Sequence, residues 1–242
     1  MFYYKCIICN KKHTKFLSIE DDLGQKLRLY KFPYKLKEFE TLSYKTFLCS
    51  NCGSSDKDRL YKMYFEKHVP NIPKIKIIDF APSVPFQKYL LSRDEIVYRS
   101  ADLYMNNVDD NVDITDMKIY KNESFDFFVC SHILEHVTDD IRAIKELKRI
   151  LKEGGRGILM TPIINKEGVF DEDIKESNIN ERWRRFAQDD HLRLYEKIIF
   201  KKRVSEAGFR LEEYGFMKLG FWNFIKNGIR LRSKLYIVTK EK

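Results

Sequence analysis

From residue 74 onwards, short apolar segments alternate with amphipathic ones, and this order restricts the fold more than any other feature of the chain. The segments predicted as strands are 74–80, 95–100, 111–115, 125–131 and 157–161, and the helices predicted between them include 85–92 and 139–151. Alternation of this kind predicts a doubly wound, mainly parallel α/β sheet. Because the chain has 242 residues, it has room for that domain and a second, smaller one.

Four cysteines near the N-terminus form two pairs with Cys-x2-Cys spacing, namely Cys6, Cys9, Cys49 and Cys52. In a reducing compartment this spacing indicates metal binding rather than disulfides. Four thiolates complete a tetrahedron around zinc and leave no position open for a substrate, so the predicted zinc is structural. A fifth cysteine, Cys130, lies inside a predicted strand and is interpreted as a core residue.

These patterns divide the chain into three parts. A zinc-ribbon-like domain is expected over 1–58, followed over 59–73 by a helical linker that ends in a proline-containing hinge. The doubly wound domain is expected over 74–242. It contains a polar, irregular insertion at about 165–195, which is too long for a simple connection.

Three acids follow predicted strands at the edge where doubly wound sheets bind ligands. Asp79 ends the first strand, in the stretch IIDFAPSVPF at 77–86, which lacks the glycines of many cofactor loops. Asp102 follows the second strand with the spacing expected of an acid that holds ribose hydroxyls. Asp113 ends the third strand, where an acid and backbone groups can bind an adenine edge. We therefore expect a cofactor loop whose turn is made by alanine and proline.

The segments FDFFVCSHILEHV at 125–137 and ELKRILKEGG at 146–155 resemble the class I S-adenosylmethionine-dependent methyltransferases of the type 11 group. Within that group, the loop DFAPS at 79–83 is similar to a subset whose first motif reads Phe-Ala-Pro-acid and which carries an N-terminal four-cysteine knuckle. The late Phe-Gly-Gln-x-Asp-His-x-Arg-x-Tyr segment of that subset corresponds here to FAQDDHLRLY at 186–195. The chain departs from the subset at Ser83, where an acid is usual, and at Ala187, where glycine is usual.

The resemblance implies a Rossmann-like fold with S-adenosylmethionine bound at the carboxyl edge of the sheet. The sulfonium and amino groups of this cofactor favour acids, and it has no pyrophosphate that would require a glycine-rich anion site. The residues expected to hold it are Asp79, Ala81, Pro82, Asp102, Asp113, Ile114 and Ser131.

Two histidines are candidate catalytic bases. His132 follows the fourth predicted strand, on the side where this fold places the methyl group, and an imidazole titrates close to neutral pH. Packing beneath the cofactor is the alternative interpretation of His132. His191 lies near the end of the insertion, where the resemblance places the acceptor. The residues expected to hold that acceptor are Arg182, Gln188, Asp190, Arg193 and Tyr195. A solvated loop with local ion pairs is the alternative interpretation of that segment.

The expected function is methyl transfer to a small anionic or sugar acceptor. The resemblance favours O-methylation of a sugar, phosphorylated or nucleotide-linked intermediate of surface polysaccharide synthesis. The alternative is an RNA methyltransferase, because a zinc knuckle also precedes this fold in ribosomal RNA methyltransferases and the net charge is +9. A second alternative is a binding scaffold that has lost catalysis, which the unusual DFAPS loop suggests.

The basic residues are interleaved with acids, so no stable nucleic-acid partner is expected. No segment has the length and hydrophobicity of a membrane span, and a cytoplasmic location is expected. The segment 220–232 mixes aromatic and basic residues and is interpreted as a core-packed connection, with contact to a membrane surface as the alternative. The sequence leaves the oligomeric state open.

Overall fold

The computed structural model describes residues 3–69 and 74–241, so the hinge predicted at 70–73 lies outside the described residues. The described chain divides into two compact units. The knuckle unit combines Met1–Pro70, Pro162–Lys197 and Tyr214–Leu235. The sheet unit combines Asn71–Thr161, Ile198–Glu213 and Tyr236–Lys242.

The elements are numbered in chain order. The helices are α1 (Leu23–Leu29), α2 (Asp56–His68), α3 (Val84–Leu91), α4 (Asp140–Ile150), α5 (Ile179–Phe186), α6 (Lys197–Glu206), α7 (Phe216–Leu219) and α8 (Phe221–Lys226). The strands are β1 (Tyr4–Lys5), β2 (Lys12–His13), β3 (Ile75–Phe80), β4 (Ile96–Asp102), β5 (Asp110–Asn111), β6 (Phe125–Ser131), β7 (Leu151–Met160), β8 (Ile163–Ile164), β9 (Asp171–Glu172), β10 (Arg193–Glu196), β11 (Arg210–Tyr214) and β12 (Leu235–Thr239).

The sheet unit is built on seven strands in the order β11-β12-β7-β6-β3-β4-β5. Strands β3 to β7 are parallel to their neighbours, whereas β12 is antiparallel to β7. The chain begins in the middle at β3, adds β4 and β5 on one side, and then crosses to β6 and β7 on the other. This reversal confirms the predicted Rossmann-like, mainly parallel sheet. It also places the ligand-binding edge at the carboxyl ends of β3 and β6.

Apolar periodicity explains the elements that flank this edge. Strand β6 is a nearly continuous apolar run and is buried along almost its whole length, as expected for a parallel strand covered on both faces. In α4, Ile144, Leu147 and Ile150 lie on one buried face. Asp139 is the N-cap of this helix, and its side chain accepts a 2.8 Å hydrogen bond from the backbone N–H of Arg142.

Two predicted boundaries in the sheet unit differ from the structure. We expected the glycine pair after α4 to end that helix, but β7 begins directly at Leu151 and contains both glycines. Gly154 has a φ of +72° in a segment where the β6–β7 pairing changes register, and this conformation suits glycine. The strand predicted at 111–115 is shorter, because β5 ends at Asn111. The following residues form a turn in which the Asp113 carboxylate accepts a hydrogen bond from the Thr115 N–H.

The knuckle unit has a shared apolar core that joins its N-terminal segment to residues 162–197. Strand β10 lies between β8 and β9 in a small sheet. The core side chains are Leu27, Phe32, Leu36, Phe39, Ile164, Val169, Trp183, Phe186, Ala187 and Leu194. Because these residues pack together, the observed units differ from the boundaries predicted at 1–58 and 74–242. The segment 165–195, which we predicted as an insertion in the doubly wound domain, belongs to the knuckle unit.

Helix α2, which the sequence interpretation places partly in a linker, is a core helix of the knuckle unit. Ser55 and Asp58 form a reciprocal cap at its start. The side chains of Leu60 and Tyr64 are fully buried. The buried Arg59 guanidinium donates to the carbonyl oxygens of Ser54 at 2.7 Å, Thr46 at 2.6 Å and Asn227 at 2.9 Å, which ties three parts of this unit together.

Among the described helices, none combines the length and the apolar character that a membrane-spanning helix requires. In the segment 220–232, Phe224 and Ile229 are buried, whereas Phe221 and Trp222 are exposed. The segment is therefore only partly the core-packed connection that we expected.

Candidate active site and metal centre

The loop after β3 keeps a left-handed turn although it lacks glycine. Ala81 has a φ of +50°, and its N–H donates to the carbonyl oxygen of Ala101 at 2.9 Å. Positive φ is uncommon for a residue with a Cβ atom, and alanine is among the smaller residues that tolerate it. Pro82 follows as a buried residue, and Ser83 is the N-cap of α3. The loop therefore has the turn that a glycine-containing motif would supply.

Asp79 is buried at the end of β3 and accepts a 3.1 Å hydrogen bond from the Tyr98 hydroxyl. Burial and the neighbouring Asp79 carboxylate raise the pKa of Tyr98, so its hydroxyl remains protonated and acts as the donor. A carboxylate at this edge suits a ligand with a positive charge. Cys130 on the adjacent β6 is also buried, which raises the pKa of its thiol and agrees with a core role.

The next two loops carry the other predicted cofactor residues. One oxygen of the Asp102 carboxylate accepts the N–H groups of Tyr104 and Met105 at 2.7 and 2.8 Å, which fixes the loop after β4. Asp113 accepts the N–H and the hydroxyl of Thr115, both at 2.8 Å, and Ile114 is buried beside it. Thus Asp79 and Asp102 lie at the carboxyl ends of β3 and β4, and Asp113 lies two residues beyond the end of β5, all on one sheet.

His132 directly follows Ser131, the last residue of β6, in a left-handed turn with a φ of +58°. Its backbone N–H donates to the Met160 carbonyl oxygen at 2.8 Å, which holds the turn against the end of β7. The Nδ1 atom lies 3.2 Å from Oε1 of Glu135, and the imidazole is about a quarter exposed, at 27%. A carboxylate at Nδ1 favours the tautomer with the proton on Nδ1, which leaves Nε2 able to accept a proton.

Glu135 and Thr161 are the residues of this site that sequence reasoning did not identify as functional. Glu135 is 1% exposed, and its Oε2 atom accepts a 3.0 Å hydrogen bond from the Thr161 hydroxyl. Glu135 lies in a turn before α4. An acid three residues after a histidine at a strand end is a signal that could have indicated the pair.

In the knuckle unit, His191 is buried and its Nδ1 atom lies 2.8 Å from the Phe186 carbonyl oxygen. The partner of Nδ1 is thus a backbone carbonyl oxygen. This contact again places the proton on Nδ1. The exposed Asp190 carboxylate accepts from the Gln188 amide at 2.9 Å. Ala187, which stands where the related subset has glycine, also has a left-handed φ of +70° and ends α5.

The remaining predicted acceptor residues make structural contacts within the same unit. The guanidinium of Arg182 donates to the backbone oxygens of Glu176 and Asp189. The Arg193 side chain is fully buried and lies 2.5 Å from a Glu172 oxygen, across the pairing of β10 with β9. Tyr195 is also buried on β10. Gln188 and Asp190 are the more accessible members of the predicted set.

The four N-terminal cysteines come together with the geometry of a tetrahedral metal site. The Sγ atoms of Cys6 and Cys52 are 3.8 Å apart, those of Cys9 and Cys49 are also 3.8 Å apart, and all four lie within 4.8 Å of one another. A zinc ion with Zn–S bonds of about 2.3 Å requires sulfur–sulfur distances of about 3.8 Å. A disulfide would require about 2.05 Å.

Two equivalent turns present these sulfurs. The N–H of Asn10 donates to the Cys6 carbonyl oxygen and that of Gly53 to the Cys49 carbonyl oxygen, both at 2.8 Å. Asn10 and Gly53 have left-handed φ values of +59° and +71°. Asparagine and glycine are the residues that adopt this conformation most readily, so each pair is followed by a residue suited to its turn.

Other polar groups surround the sulfurs and were not identified from the sequence. The Nε2 atom of His13 lies 3.3 Å from the Cys49 sulfur, and the Ser54 hydroxyl lies 3.3 and 3.2 Å from the sulfurs of Cys6 and Cys52. Burial raises the pKa of Cys49 and Cys52, so a cation among the sulfurs would favour their thiolate forms. The cysteine set and its surroundings therefore fit a structural zinc.

Residues 95–159 match the family model described as a methyltransferase domain. No curated protein matches the chain. Among solved structures, it is similar to phosphoethanolamine N-methyltransferase 2 from Haemonchus contortus in complex with S-adenosyl-L-methionine, with 10% identity over 78% of this chain and 53% of that chain and a TM-score of 0.49. It is also similar to an S-adenosylmethionine-dependent methyltransferase from Archaeoglobus fulgidus, with 11% identity over 76% and 94% of the two chains and a TM-score of 0.47.

The matched residues 95–159 run from the residue before β4 into β7, so they include His132 and Glu135. Asp102, Asp113 and His132 lie within this segment, whereas Asp79 lies before it, on the other side of α3. The family match confirms the enzyme class predicted from the sequence, an S-adenosylmethionine-dependent methyltransferase.

Proposed function

We propose that the protein methylates a hydroxyl group of a small acceptor, and that His132 is the general base. The observation that carries this proposal is the 3.2 Å contact between Nδ1 of His132 and the buried Glu135 carboxylate at the end of β6. A base oriented by a third group is the arrangement that proton removal from a hydroxyl requires. The acceptor class is a sugar, phosphorylated or nucleotide-linked intermediate of surface polysaccharide synthesis.

S-adenosylmethionine, when bound, supplies a methyl group on a sulfonium that leaves as a neutral thioether. Asp79 and Asp102 would hold its positive and hydroxyl groups, and Asp113 with Ile114 its adenine. The other cofactor residues in this proposal are Ala81, Pro82 and Ser131. Their positions at the carboxyl edge of the sheet support these assignments.

The residues of this chain perform the proton transfer. Nε2 of His132 accepts the proton of the acceptor hydroxyl, so that the oxygen becomes the nucleophile for the methyl carbon. The resulting imidazolium is stabilised by the Glu135 carboxylate, which in turn is held by the Thr161 hydroxyl. This arrangement keeps the base oriented before the acceptor arrives, which lowers the cost of reaching the reactive geometry.

The segment 165–195 completes the proposal on the acceptor side. We assign Gln188 and Asp190 to hydroxyl contacts, because both remain accessible to solvent. Arg182, Arg193 and Tyr195 also stay in the proposed set of acceptor residues. Arg182 would act through its contacts with backbone oxygens, and Arg193 through its contact with Glu172. His191 is the alternative base, since its Nδ1 contact also leaves Nε2 unprotonated. The zinc at the four cysteines is structural, and a cytoplasmic location follows from the reduced thiols that it requires.

Calorimetry with S-adenosylhomocysteine tests this proposal directly. We expect binding with micromolar affinity, about 8 kcal/mol at the standard state. Radiolabelled methyl transfer should then be found with sugar phosphates or nucleotide-linked sugars as acceptors. Undetectable binding by the intact protein would instead support a scaffold that has lost catalysis.

The salt dependence of RNA binding and the same methyl-transfer assay distinguish the RNA alternative from the small-molecule proposal. The net charge of +9 is the observation that favours RNA. If RNA is the acceptor, its affinity should fall steeply with salt, because phosphate contacts release counterions. Transfer of methyl groups to a defined site in ribosomal RNA would overturn the small-molecule proposal.

The left-handed turn at Ala81 gives a second prediction. Ala81→Gly should retain the affinity for S-adenosylhomocysteine, because glycine adopts a φ of +50° without strain. Ala81→Val should lower that affinity about tenfold or more, because a β-branched residue at positive φ is strained by about 1–3 kcal/mol. Calorimetry on both variants, with thermal unfolding as a check, measures the difference. Equal affinities for the valine and glycine variants would show that this turn does not shape the cofactor loop.

A further inference from the structure

We propose that a cavity in the N-terminal part of the knuckle unit binds the diphosphate-bearing end of a nucleotide-linked ligand. The cavity has a volume of about 460 Å³ and is formed by α1 and the segment that follows it. Small-molecule sites usually measure about 300–1,000 Å³, so the space is sufficient for one such group. Its floor is apolar and buried and consists of Gly24, Leu27, Phe32 and Leu36.

Positive charge surrounds the opening of this cavity. Arg28, Lys35 and Lys37 line it, and within residues 3–69 and 74–241 none of the three forms an ion pair. Arg230 and Arg232 add to this field, because both donate to the Lys37 carbonyl oxygen, at 2.8 and 2.9 Å. Exposed cations without carboxylate partners suit phosphate groups, which accept several charge-assisted hydrogen bonds.

The remaining lining residues suit the nucleoside part of such a ligand. Tyr34 and Tyr44 are half-buried and line the cavity, with Lys166 over the first ring at 5.8 Å and Arg230 over the second at 5.6 Å, so a base that stacks on either ring shares it with a cation. Glu20 is an exposed acid at the opening, and its carboxylate can accept hydrogen bonds from ribose or sugar hydroxyls. A simple inorganic anion would use only the cations. The combination of cations, aromatic faces and one acid therefore favours a nucleoside diphosphate.

The absence of a side chain at position 24 helps to create the space. A Cβ atom placed on Gly24 would lie 3.3 Å from Cδ1 of Leu36 and 3.6 Å from the Arg28 guanidinium. A larger residue there would project between the opening and the floor without changing any charge. Gly24 lies in α1 and has no positive φ, so its backbone accepts other residues.

Titration calorimetry of the full chain with uridine, guanosine and adenosine diphosphates tests the site. At least one should bind with submillimolar affinity, and pyrophosphate and the free nucleoside should each bind about tenfold more weakly or worse. Gly24→Leu, and separately the double change Lys35→Ala with Lys37→Ala, should lower the affinity about tenfold or more. Lys15→Ala is the matched control, because this exposed lysine of the same unit does not line the cavity. Its variant should bind as the unmodified protein does.

The choice of a nucleotide-linked ligand rests on the proposed function, but different results would contradict the two proposals. Loss of S-adenosylhomocysteine binding would count against the proposed function. Absence of nucleotide binding with S-adenosylhomocysteine binding intact would overturn the cavity proposal alone. Equal affinities for pyrophosphate and the nucleotides, or unchanged binding in both cavity variants, would also overturn it. Circular dichroism shows whether the Gly24→Leu variant folds. If it does not, the double change Lys35→Ala with Lys37→Ala decides the result.

Discussion

Replacing Cys49 with serine is expected to abolish stoichiometric zinc binding and to unfold much of the knuckle unit. Cys49 is 1% exposed, and its sulfur lies 3.8 Å from that of Cys9, opposite the Cys6–Cys52 pair. A structural zinc contributes about 10–16 kcal/mol to folding in zinc-finger peptides, which is as large as the whole stability of a typical domain, about 5–15 kcal/mol. Elemental analysis should find one zinc per unmodified chain and close to none in the variant.

Hydrogen exchange should locate this effect. Protection should be lost in residues 3–69 and also in 162–197, because the core of the knuckle unit joins both segments. Strands β3 and β6 should remain protected, since they belong to the sheet unit. Cys130→Ala is the matched control, because Cys130 is buried but lies outside the four-cysteine group, and this variant should keep its zinc. Freshly purified, reduced protein without zinc would contradict the metal assignment.

The sequence predicted the sheet well because its signals are local. Strand β6 matches the predicted range 125–131 because it is a continuous apolar run, and α4 begins within one residue of its prediction because it is strongly periodic and has Asp139 as its N-cap. The mainly parallel sheet also followed from the alternation of elements. The division into units could not be predicted in this way. It depends on contacts such as that between Tyr30 and Trp183, whose rings stack 5.2 Å apart across more than 150 residues of chain.

The sequence predicted which residues form the candidate site better than it predicted the contacts between them. His132 was named because it follows a strand, which is a local feature. Its partner Glu135 was assigned no role, because the Thr161 contact joins residues 26 positions apart and has no local sequence signal. Similarly, the positive φ values of Ala81 and Ala187 have no sequence signal, because alanine usually avoids that conformation. The surrounding structure imposes it.

His132→Ala is expected to lower kcat by about 10²–10⁴ while leaving the affinity for S-adenosylhomocysteine almost unchanged. The reason is that the imidazole accepts the proton of the acceptor hydroxyl but does not hold the cofactor. Steady-state kinetics with an acceptor found by the radiolabelled methyl-transfer assay, together with calorimetry, measure both quantities. A loss of less than about tenfold, or 1.4 kcal/mol, in kcat/KM would rule out His132 as the base.

The pH profile separates a catalytic His132 from a structural one. If His132 is the base, activity of the unmodified protein falls at low pH as the imidazole becomes protonated, and His132→Ala removes this acid limb. Glu135→Gln gives a sharper test, because glutamine preserves the shape of the side chain and removes only the negative charge that lies 3.2 Å from Nδ1. The lost carboxylate no longer stabilises the imidazolium, so the pKa of His132 should fall and the acid limb should move to lower pH, with a reduced maximal rate.

His191→Ala completes this comparison. If it leaves the acid limb in place and raises the acceptor KM, His191 positions the acceptor and His132 remains the base. If it removes the acid limb while His132→Ala retains it, the roles are reversed. An acid limb that persists in both histidine variants would mean that neither is the base. A phosphate-type acceptor oxygen would explain that result, because it is already ionised near neutral pH and needs no proton removed.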